Sequence, residues 1–182
     1  MTIYYLPLGP DTSPHHAAWA LVRRLAAEQL NRPADALLFS TTPTGKPFLV
    51  DYPDFHFSIS HTKGAIALAV AARPCGVDIE LLRPRRVSRR LLARFFTPEE
   101  QAWIAEDPDA EAARFLSLWT RKEAYTKRDG RGIAAGFATF NTLSGQIAKE
   151  LITRQVAAHV LSWCAVDAAQ AALLELPEKS EK

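Results

Sequence analysis

The sequence is poor in cysteine, contains no long apolar run and carries almost no net charge. Its 182 residues include only two cysteines, Cys75 and Cys164, which are too few and too far apart for a disulfide framework or a zinc site. We expect both to be buried, reduced thiols. No apolar run reaches the about 18 residues of a membrane-spanning helix, and the first residues lack the basic region and apolar core of a signal peptide. These absences predict a cytoplasmic protein with no membrane partner.

The chain does contain enough apolar material for a folded core, arranged as helix and sheet twice over. Hydrophobic residues make up 48% of the sequence, which suffices to bury roughly 70% of the unfolded surface in one domain or two small lobes. Ser13 as N-cap and Pro14 at the first helical position predict a helix to about Leu30. Strands are predicted near residues 36–40, 55–61 and 65–72.

The second half begins with a predicted strand at residues 76–80 and a helix at about 88–96. Thr97, followed by Pro98 and then Glu100, has the form of a capping box, so the acids at 99 and 100 are interpreted as helix-start residues and not as metal ligands. A longer helix is predicted from about 109 to 128, and strands near 137–141, 146–153 and 157–165. The whole pattern indicates an α+β fold.

Three carboxylates stand out as a candidate magnesium site. Asp78 and Glu80 lie two residues apart in a strand-like run, so they share one face while Val77 and Ile79 turn to the core. Two acids so close repel unless a cation lies between them, and magnesium prefers oxygen ligands. The alternative is an exposed edge strand whose polar face carries two acids.

A helical segment supplies the third acid. Trp119, Glu123 and Lys127 follow one another at intervals of four residues, so they share one side of a helix. Here too a simpler interpretation exists, because Glu and Lys at this spacing form an ordinary surface pair and Trp119 would be a core residue. Taken singly, neither segment decides between the two interpretations.

Four segments in order resemble the Sfp-type 4'-phosphopantetheinyl transferases, and the resemblance covers most of the chain. They are Gly45-Lys46-Pro47, Phe57-Ser58-Ile59-Ser60-His61, the run from Gly76 to Glu80, and the run from Trp119 to Lys127 followed by Gly130 and Gly132. The resemblance implies a short member of the family with two similar α/β lobes that form a pseudo-dimer, each a helix packed on a small, mostly antiparallel sheet. It places the N-terminal lobe at 1–75, the C-terminal lobe at 76–182 and the site between them.

The resemblance also implies a reaction: transfer of the phosphopantetheine arm of coenzyme A to a serine of an apo acyl or peptidyl carrier protein. By similarity Asp78, Glu80 and Glu123 hold Mg²⁺, with Mn²⁺ as a substitute, and Glu80 binds the ion directly or through water. Glu123 is the implied base and Lys127 the residue that stabilises or protonates the departing phosphate. The implied contacts to coenzyme A come from Lys46, Ser60, His61 and Lys127. Turn and strand-end positions in water are the simpler interpretations of Lys46 and His61.

Arginines are concentrated just after Glu80. Arg86, Arg89 and Arg90 are the named candidates in a run that spans residues 83–94, and a basic face beside the site would attract acidic carrier proteins. The alternative is that these arginines simply form the solvent-exposed face of a helix. No aromatic side chains alternate with these arginines, so nucleic-acid binding is not expected. We expect a monomer.

The chain also departs from the family. The stretch before the first helix is short, and the basic residues that often hold the nucleotide there have no clear counterpart; His15, His16 and Arg23 cannot be matched. Two other functions remain open from the sequence. One is a different metal-dependent phosphotransferase or phosphodiesterase, and the other is a non-catalytic protein that docks an acidic partner through its arginine-rich helix.

Overall fold

The computed structural model describes residues 1–84, 86–132 and 136–177. In chain order the strands and helices are β1 (Thr2–Pro7), α1 (Pro14–Leu30), β2 (Phe39–Thr41), β3 (Pro47–Leu49), β4 (His56–Thr62), β5 (Ala65–Ala71), β6 (Gly76–Leu81), α2 (Arg89–Phe95), α3 (Pro98–Ala105), α4 (Glu111–Asp129), α5 (Gly145–Lys149), β7 (Leu151–Val156), β8 (His159–Cys164) and β9 (Ala172–Glu175). Among the described residues, no helix combines the length and the apolar character needed to cross a membrane.

Two sheets form the centre of the molecule, and each has a helix on its outer face. The first has the order β4-β5-β1-β9, the second the order β6-β8-β7, and β2 and β3 form a separate hairpin. Side chains alternate along β1: Ile3 and Tyr5 join the core between the sheets, and Tyr4 and Leu6 pack with α1. On the second sheet, α4 packs against β6 and β8. The prediction of an α+β fold is therefore confirmed.

Local signals in the sequence account for where several helices begin and end. The Ser13 side chain accepts a hydrogen bond at the start of α1, and Pro14 is the first residue of that helix. The capping box of α3 is confirmed, because Thr97 and Glu100 bond to each other's backbone N–H groups. Helix α4 ends at Gly130, whose φ of 74° is the left-handed conformation that glycine adopts most easily.

Three strand predictions were wrong in whole or in part. Residues 137–141 contain a short 3₁₀ helix, Phe137–Thr139, instead of a strand. The strand expected at 146–153 divides into α5 and the later strand β7. The segment 36–40 also divides, because Ala34–Ala36 form a 3₁₀ turn and the strand begins only at Phe39. Each of these segments is held by contacts with distant parts of the chain, which the local pattern does not contain.

One strand crosses the lobe boundary predicted at 75/76. Strand β9 pairs in parallel with β1, from Thr2 opposite Ala172 to Tyr5 opposite Glu175. The end of the second half of the chain thus belongs to the sheet of the first half. The reason is that the edge of β1 has backbone groups to satisfy, and β9 satisfies them.

Candidate functional site

The predicted site residues meet where β4, β6 and α4 come together. Asp78 lies on β6 and is only 5% exposed, and Ser60 lies on the neighbouring strand β4 and is also buried. Lys127, in the last turn of α4, places its Nζ 2.6 Å from Asp78 Oδ1 and 3.0 Å from Ser60 Oγ. Ser60 donates its hydroxyl to the same Asp78 oxygen at 2.7 Å. The structure therefore joins residues that are 18 to 67 positions apart in sequence.

Asp78 is more buried than the sequence predicts, and only one of its two oxygens is satisfied. Val77 and Ile79 do turn into the core, as the alternation predicts. The other face of β6 is covered as well, because α4 packs on it. Asp78 Oδ2 is buried, and no hydrogen-bond donor among the described residues reaches it. A buried carboxylate oxygen without a donor is costly, so this oxygen fits contact with a cation.

Glu123 faces the same region and has an unusual acidity. Burial raises the pKa of its carboxyl group to about 7, and the neighbouring charges of Asp78 and Glu80 raise it as well, whereas Lys127 lowers it. A carboxyl group with a pKa close to neutral is suited to accept and release a proton at physiological pH. Glu80, at the outer end of β6, is half-buried, and its Oε2 accepts a bond of 3.4 Å from the Thr62 hydroxyl.

The three acids suit a magnesium ion in their chemistry. All offer carboxylate oxygens, and Asp78 Oδ2 has no hydrogen-bond donor among the described residues. Among the described residues, no three acidic, histidine or cysteine side chains are placed so that they could hold a metal ion without moving. In their present positions the positive charge nearest to Asp78 is the ammonium group of Lys127. Side-chain rotation of Glu80 and Glu123 would be needed to complete a site.

Lys46 lies at the junction between the start of β6 and the end of α4. Its ammonium group donates to the carbonyl oxygens of Cys75 at 3.1 Å and Lys127 at 2.7 Å, and to that of Arg128. An ammonium group has three N–H donors, and all three are used. That this side chain grips a phosphate of coenzyme A stays a prediction; in this structure its ammonium group is bonded to backbone oxygens.

The other predicted phosphate contact, His61, lies at the exposed end of β4. Its ring is 6.5 Å from that of His15 at the start of α1, and the two rings are nearly perpendicular. His61 is therefore accessible to a ligand, next to a second imidazole that the sequence could not match to the family.

Two clefts flank this group of residues. The first, of about 240 Å³, lies between the β2–β3 turn, strand β4 and the end of α4; it is lined by Thr44, Gly45, Lys46, Pro47, Phe57, Ser58, Ile59, Lys127, Gly130 and Gly132. The second, of about 170 Å³, lies beside Glu80 and is lined by Leu91, Phe115, Leu116 and Trp119. Trp119 is thus neither fully in the core nor on a plain surface, because it forms an apolar wall next to one of the acids.

The arginine-rich segment borders the second cleft. Arg86, Arg89 and Arg90 are exposed, and Leu91 of the same helix lines the cleft. Arg89 is partly engaged, since its guanidinium lies 3.2 Å from Glu111 of α4. Arg85, which belongs to the same predicted run, is outside the described residues.

Sequence reasoning missed one buried feature beside the site. Lys122 and Glu100 form an ion pair with a separation of 2.7 Å, and both side chains are 0% exposed. Lys122 also donates to the carbonyl oxygens of Phe137 and Phe140. The only signal in the sequence is the capping box, which correctly indicates that Glu100 is directed towards the helix start but not that it is paired.

The comparison with known proteins covers more of the chain than this group of residues. Residues 74–174 match the model of the 4'-phosphopantetheinyl transferase superfamily. This segment contains Asp78, Glu80, Glu123 and Lys127. The chain belongs to the 4'-phosphopantetheinyl transferase superfamily. The resemblance stated from the sequence is thereby confirmed.

Individual relatives agree with this assignment to the superfamily. The chain is 34% identical over 135 residues to the 4'-phosphopantetheinyl transferase Sfp of Bacillus subtilis (strain 168), covering 72% of this chain and 59% of that protein. It is 34% identical over 121 residues to 4'-phosphopantetheinyl transferase psf-1 of Bacillus pumilus, covering 66% of this chain and 51% of the relative. For 4'-phosphopantetheinyl transferase HetI of Nostoc sp. the values are 33% over 123 residues, 65% and 52%. The matches thus cover between half and three fifths of these members of the superfamily.

Proposed function

We propose that this protein transfers the 4'-phosphopantetheine group of coenzyme A to a serine hydroxyl of an apo carrier protein, releasing adenosine 3',5'-bisphosphate. The observation that carries the proposal is the group formed by Asp78, Ser60 and Lys127 next to Glu123, because it lies in a chain that belongs to the superfamily. In balanced form, the serine Oγ forms a bond to the β-phosphorus, and the bond from that phosphorus to the bridging oxygen breaks.

Glu123 is the proposed base for the carrier serine. Its pKa of about 7 lets a substantial fraction of the carboxylate accept a proton at neutral pH, and the proton of the serine hydroxyl moves to it as the new bond forms. Lys127 is proposed to move from Asp78 to the departing phosphate, where its ammonium group neutralises the charge that develops on the bridging oxygen or supplies a proton to it.

Asp78, Glu80 and Glu123 are the proposed ligands of Mg²⁺, with Mn²⁺ as a substitute. When bound, this ion would neutralise the charge of the pyrophosphate of coenzyme A. The unsatisfied Oδ2 of Asp78 supports this proposal. Ser60 and His61 are proposed to hold phosphate oxygens, and the cleft of about 240 Å³ beside Lys127 has room for part of the nucleotide. Lys46 is left out of the proposed ligand set.

The carrier protein is proposed to dock beside the second cleft. Carrier proteins of this class are typically acidic, and Arg86, Arg89 and Arg90 present a basic surface there. We further propose that the enzyme works as a monomer in the cytoplasm, without nucleic-acid or membrane partners. Sedimentation of the purified protein tests whether it is a monomer in solution.

The decisive experiment measures the mass of the carrier. The protein is incubated with coenzyme A, Mg²⁺ and apo acyl or peptidyl carrier proteins, and we expect a mass gain of one phosphopantetheine group that EDTA prevents and Mg²⁺ or Mn²⁺ restores. Glu123→Gln should abolish the gain, with Glu28→Gln on the exposed face of α1 as the matched control. Release of adenosine 3',5'-bisphosphate without a carrier would indicate a phosphodiesterase, and no mass gain with any of several carriers would contradict the proposal.

A further inference from the structure

Lys46 joins parts of the molecule that are far apart in sequence. It follows the tight turn between β2 and β3, where the Thr42 hydroxyl accepts the Lys46 N–H at 3.0 Å and the Thr42 N–H donates to the Lys46 carbonyl at 2.9 Å. Gly45 within this turn has a φ of 87°, which glycine adopts without strain. The turn therefore holds the backbone of Lys46 in place independently of its side-chain contacts.

The three carbonyl groups that accept from the Lys46 ammonium belong to the two elements that carry the candidate site. Cys75 immediately precedes β6, the strand of Asp78. Lys127 and Arg128 form the last turn of α4, the helix of Glu123. One charged group from the first half of the chain thus contacts the backbones of both elements.

The end of α4 needs such a donor. The last four carbonyl groups of a helix have no partner within it, and the helix dipole makes this end negative. The Gly130 N–H donates to the carbonyl groups of Thr126 and Lys127, and the Arg131 N–H also donates to that of Thr126. Lys46 provides a further donor for the Lys127 carbonyl and a donor for that of Arg128. Its position there satisfies oxygens and places a positive charge at the negative end of the helix.

Strand, helix end and the Lys46 stem pack closely at this junction. A Cβ atom on Gly76, the first residue of β6, would lie 1.9 Å from the Ala124 carbonyl oxygen and 2.6 Å from the Arg128 nitrogen, so the strand touches the helix backbone directly. On the other side, a Cβ atom on Gly130 would lie 3.1 Å from Lys46 Cβ. The stem of Lys46 therefore packs against the helix end while its ammonium group spans the helix and the strand.

A role as a phosphate ligand is incompatible with these contacts. Every N–H of the ammonium group already has an acceptor, and binding a phosphate would leave backbone oxygens at the junction unsatisfied. Burial lowers the pKa of Lys46.

We infer that Lys46 is a positioning residue, which holds the start of β6 and the last turn of α4 together and so keeps Lys127 within reach of Asp78 and Ser60. It acts through the backbone of Lys127, and its ammonium group does not bind a phosphate of coenzyme A. The kinetic part of this inference rests on the proposed transfer of phosphopantetheine, but the structural part does not.

The test begins with Lys46→Met, which keeps the stem and removes the charge, and with Lys149→Met as the control at an exposed lysine of α5. A displacement of about 1 Å at a reacting group costs about 100-fold in rate, so we expect kcat of Lys46→Met to fall by about that factor. The dissociation constant for coenzyme A, measured by calorimetry, should change by less than about twofold. An unchanged kcat with a weakened affinity for coenzyme A would overturn the inference and make Lys46 a ligand.

A second variant distinguishes loss of the carbonyl contacts from misfolding. Lys46→Arg keeps a positive charge that would still serve a phosphate, but a planar guanidinium cannot reproduce three carbonyl contacts from this stem. We expect Lys46→Arg to remain slow while binding coenzyme A normally, and full activity would overturn the inference. In a Lys127→Ala background, Lys46→Met should cause no further loss of kcat, because both changes act on the same group. Additive losses would contradict action through Lys127.

Hydrogen exchange provides a readout that does not depend on catalysis. Amides in the last turn of α4 and its cap, residues 126–131, should exchange faster in Lys46→Met than in the wild-type protein or in Lys149→Met, because the helix end loses its donor. Unchanged exchange would overturn the structural part. If the wild-type protein transfers nothing to any carrier, the proposed function fails, but this measurement still decides the role of Lys46.

Discussion

Removing the charge of Lys122 should destabilise the protein more than removing any exposed charge. The Lys122 ammonium lies 2.7 Å from Glu100 Oε2, 2.6 Å from the Phe137 carbonyl oxygen and 2.7 Å from that of Phe140. Its charge also lies 4.4 Å from the centre of the Phe140 ring. In Lys122→Met, all of these contacts are lost at once.

The expected loss of stability follows from the hydrogen bonds that Glu100 keeps in Lys122→Met. Glu100 keeps the Thr97 N–H and both the N–H and the hydroxyl of Thr142, so its carboxylate retains three donors but no positive partner. Breaking a buried pair by removing one partner costs about 3–5 kcal/mol, and the three donors place this case near the lower end. For a chain of this size each kcal/mol lowers Tm by about 2–4 °C, which gives a decrease of about 6–12 °C.

The assay is urea unfolding followed by circular dichroism, with thermal unfolding in parallel. Arg24→Met is the matched control, because Arg24 pairs with Glu28 on the surface, where the side chains are 46% and 56% exposed, and such pairs contribute about 0–1 kcal/mol. Combining Lys122→Met with Glu100→Gln removes the uncompensated charge and should recover part of the loss. A loss below about 1 kcal/mol for Lys122→Met would refute the reasoning, because the pair would then not behave as a buried charge.

Three further predictions concern the site and its surroundings. Gly76→Ala should destabilise the protein by about 3 kcal/mol in urea unfolding, because the new Cβ would meet the Ala124 carbonyl oxygen at 1.9 Å; near-normal stability would show that the strand can move away. In EDTA, the contribution of Glu123 to the free energy of unfolding should be full below pH 4.5 and disappear as the pH rises through about 7, because its pKa is raised on folding. Glu123→Gln should therefore gain stability relative to wild type above pH 7, and an unchanged difference between pH 5 and pH 8 would contradict the raised pKa. Reversing the charges of Arg86 and Arg90 should raise KM for the carrier and leave the affinity for coenzyme A unchanged; carrier binding that does not respond to salt would refute a basic docking surface.

Local sequence patterns were reliable where a structural decision is made within a few residues. The cap of α1 at Ser13, the capping box of α3 and the end of α4 at Gly130 all involve partners at most five residues away. The alternation of Val77 and Ile79 likewise placed Asp78 on the face of β6 that carries the site. Such signals are interactions of neighbours, so the sequence contains both partners in one window.

The features that the sequence did not predict involve residues whose partners are far away. The segment Phe137–Thr139 is apolar enough for a strand, but it forms a 3₁₀ turn, and its Phe137 carbonyl accepts from Lys122 in a helix that ends before it. Strand β9 pairs with β1 at the opposite end of the chain. Lys46 lies in a turn whose composition predicts exposure to solvent, but its ammonium group donates to carbonyl oxygens at a helix end 81 and 82 residues later in the chain.

The sequence by itself determined which elements carry the acids, the type of fold and the resemblance to a family, because these depend on residue type and short-range spacing. Only the tertiary structure decided which charges are paired. It buried Asp78, joined Lys127 to it and raised the pKa of Glu123 through burial and neighbouring acids. It also assigned Lys46 to backbone oxygens instead of solvent. Hydrogen bonds and pKa shifts depend on distance and on exclusion of water, and both arise only when β4, β6 and α4 meet.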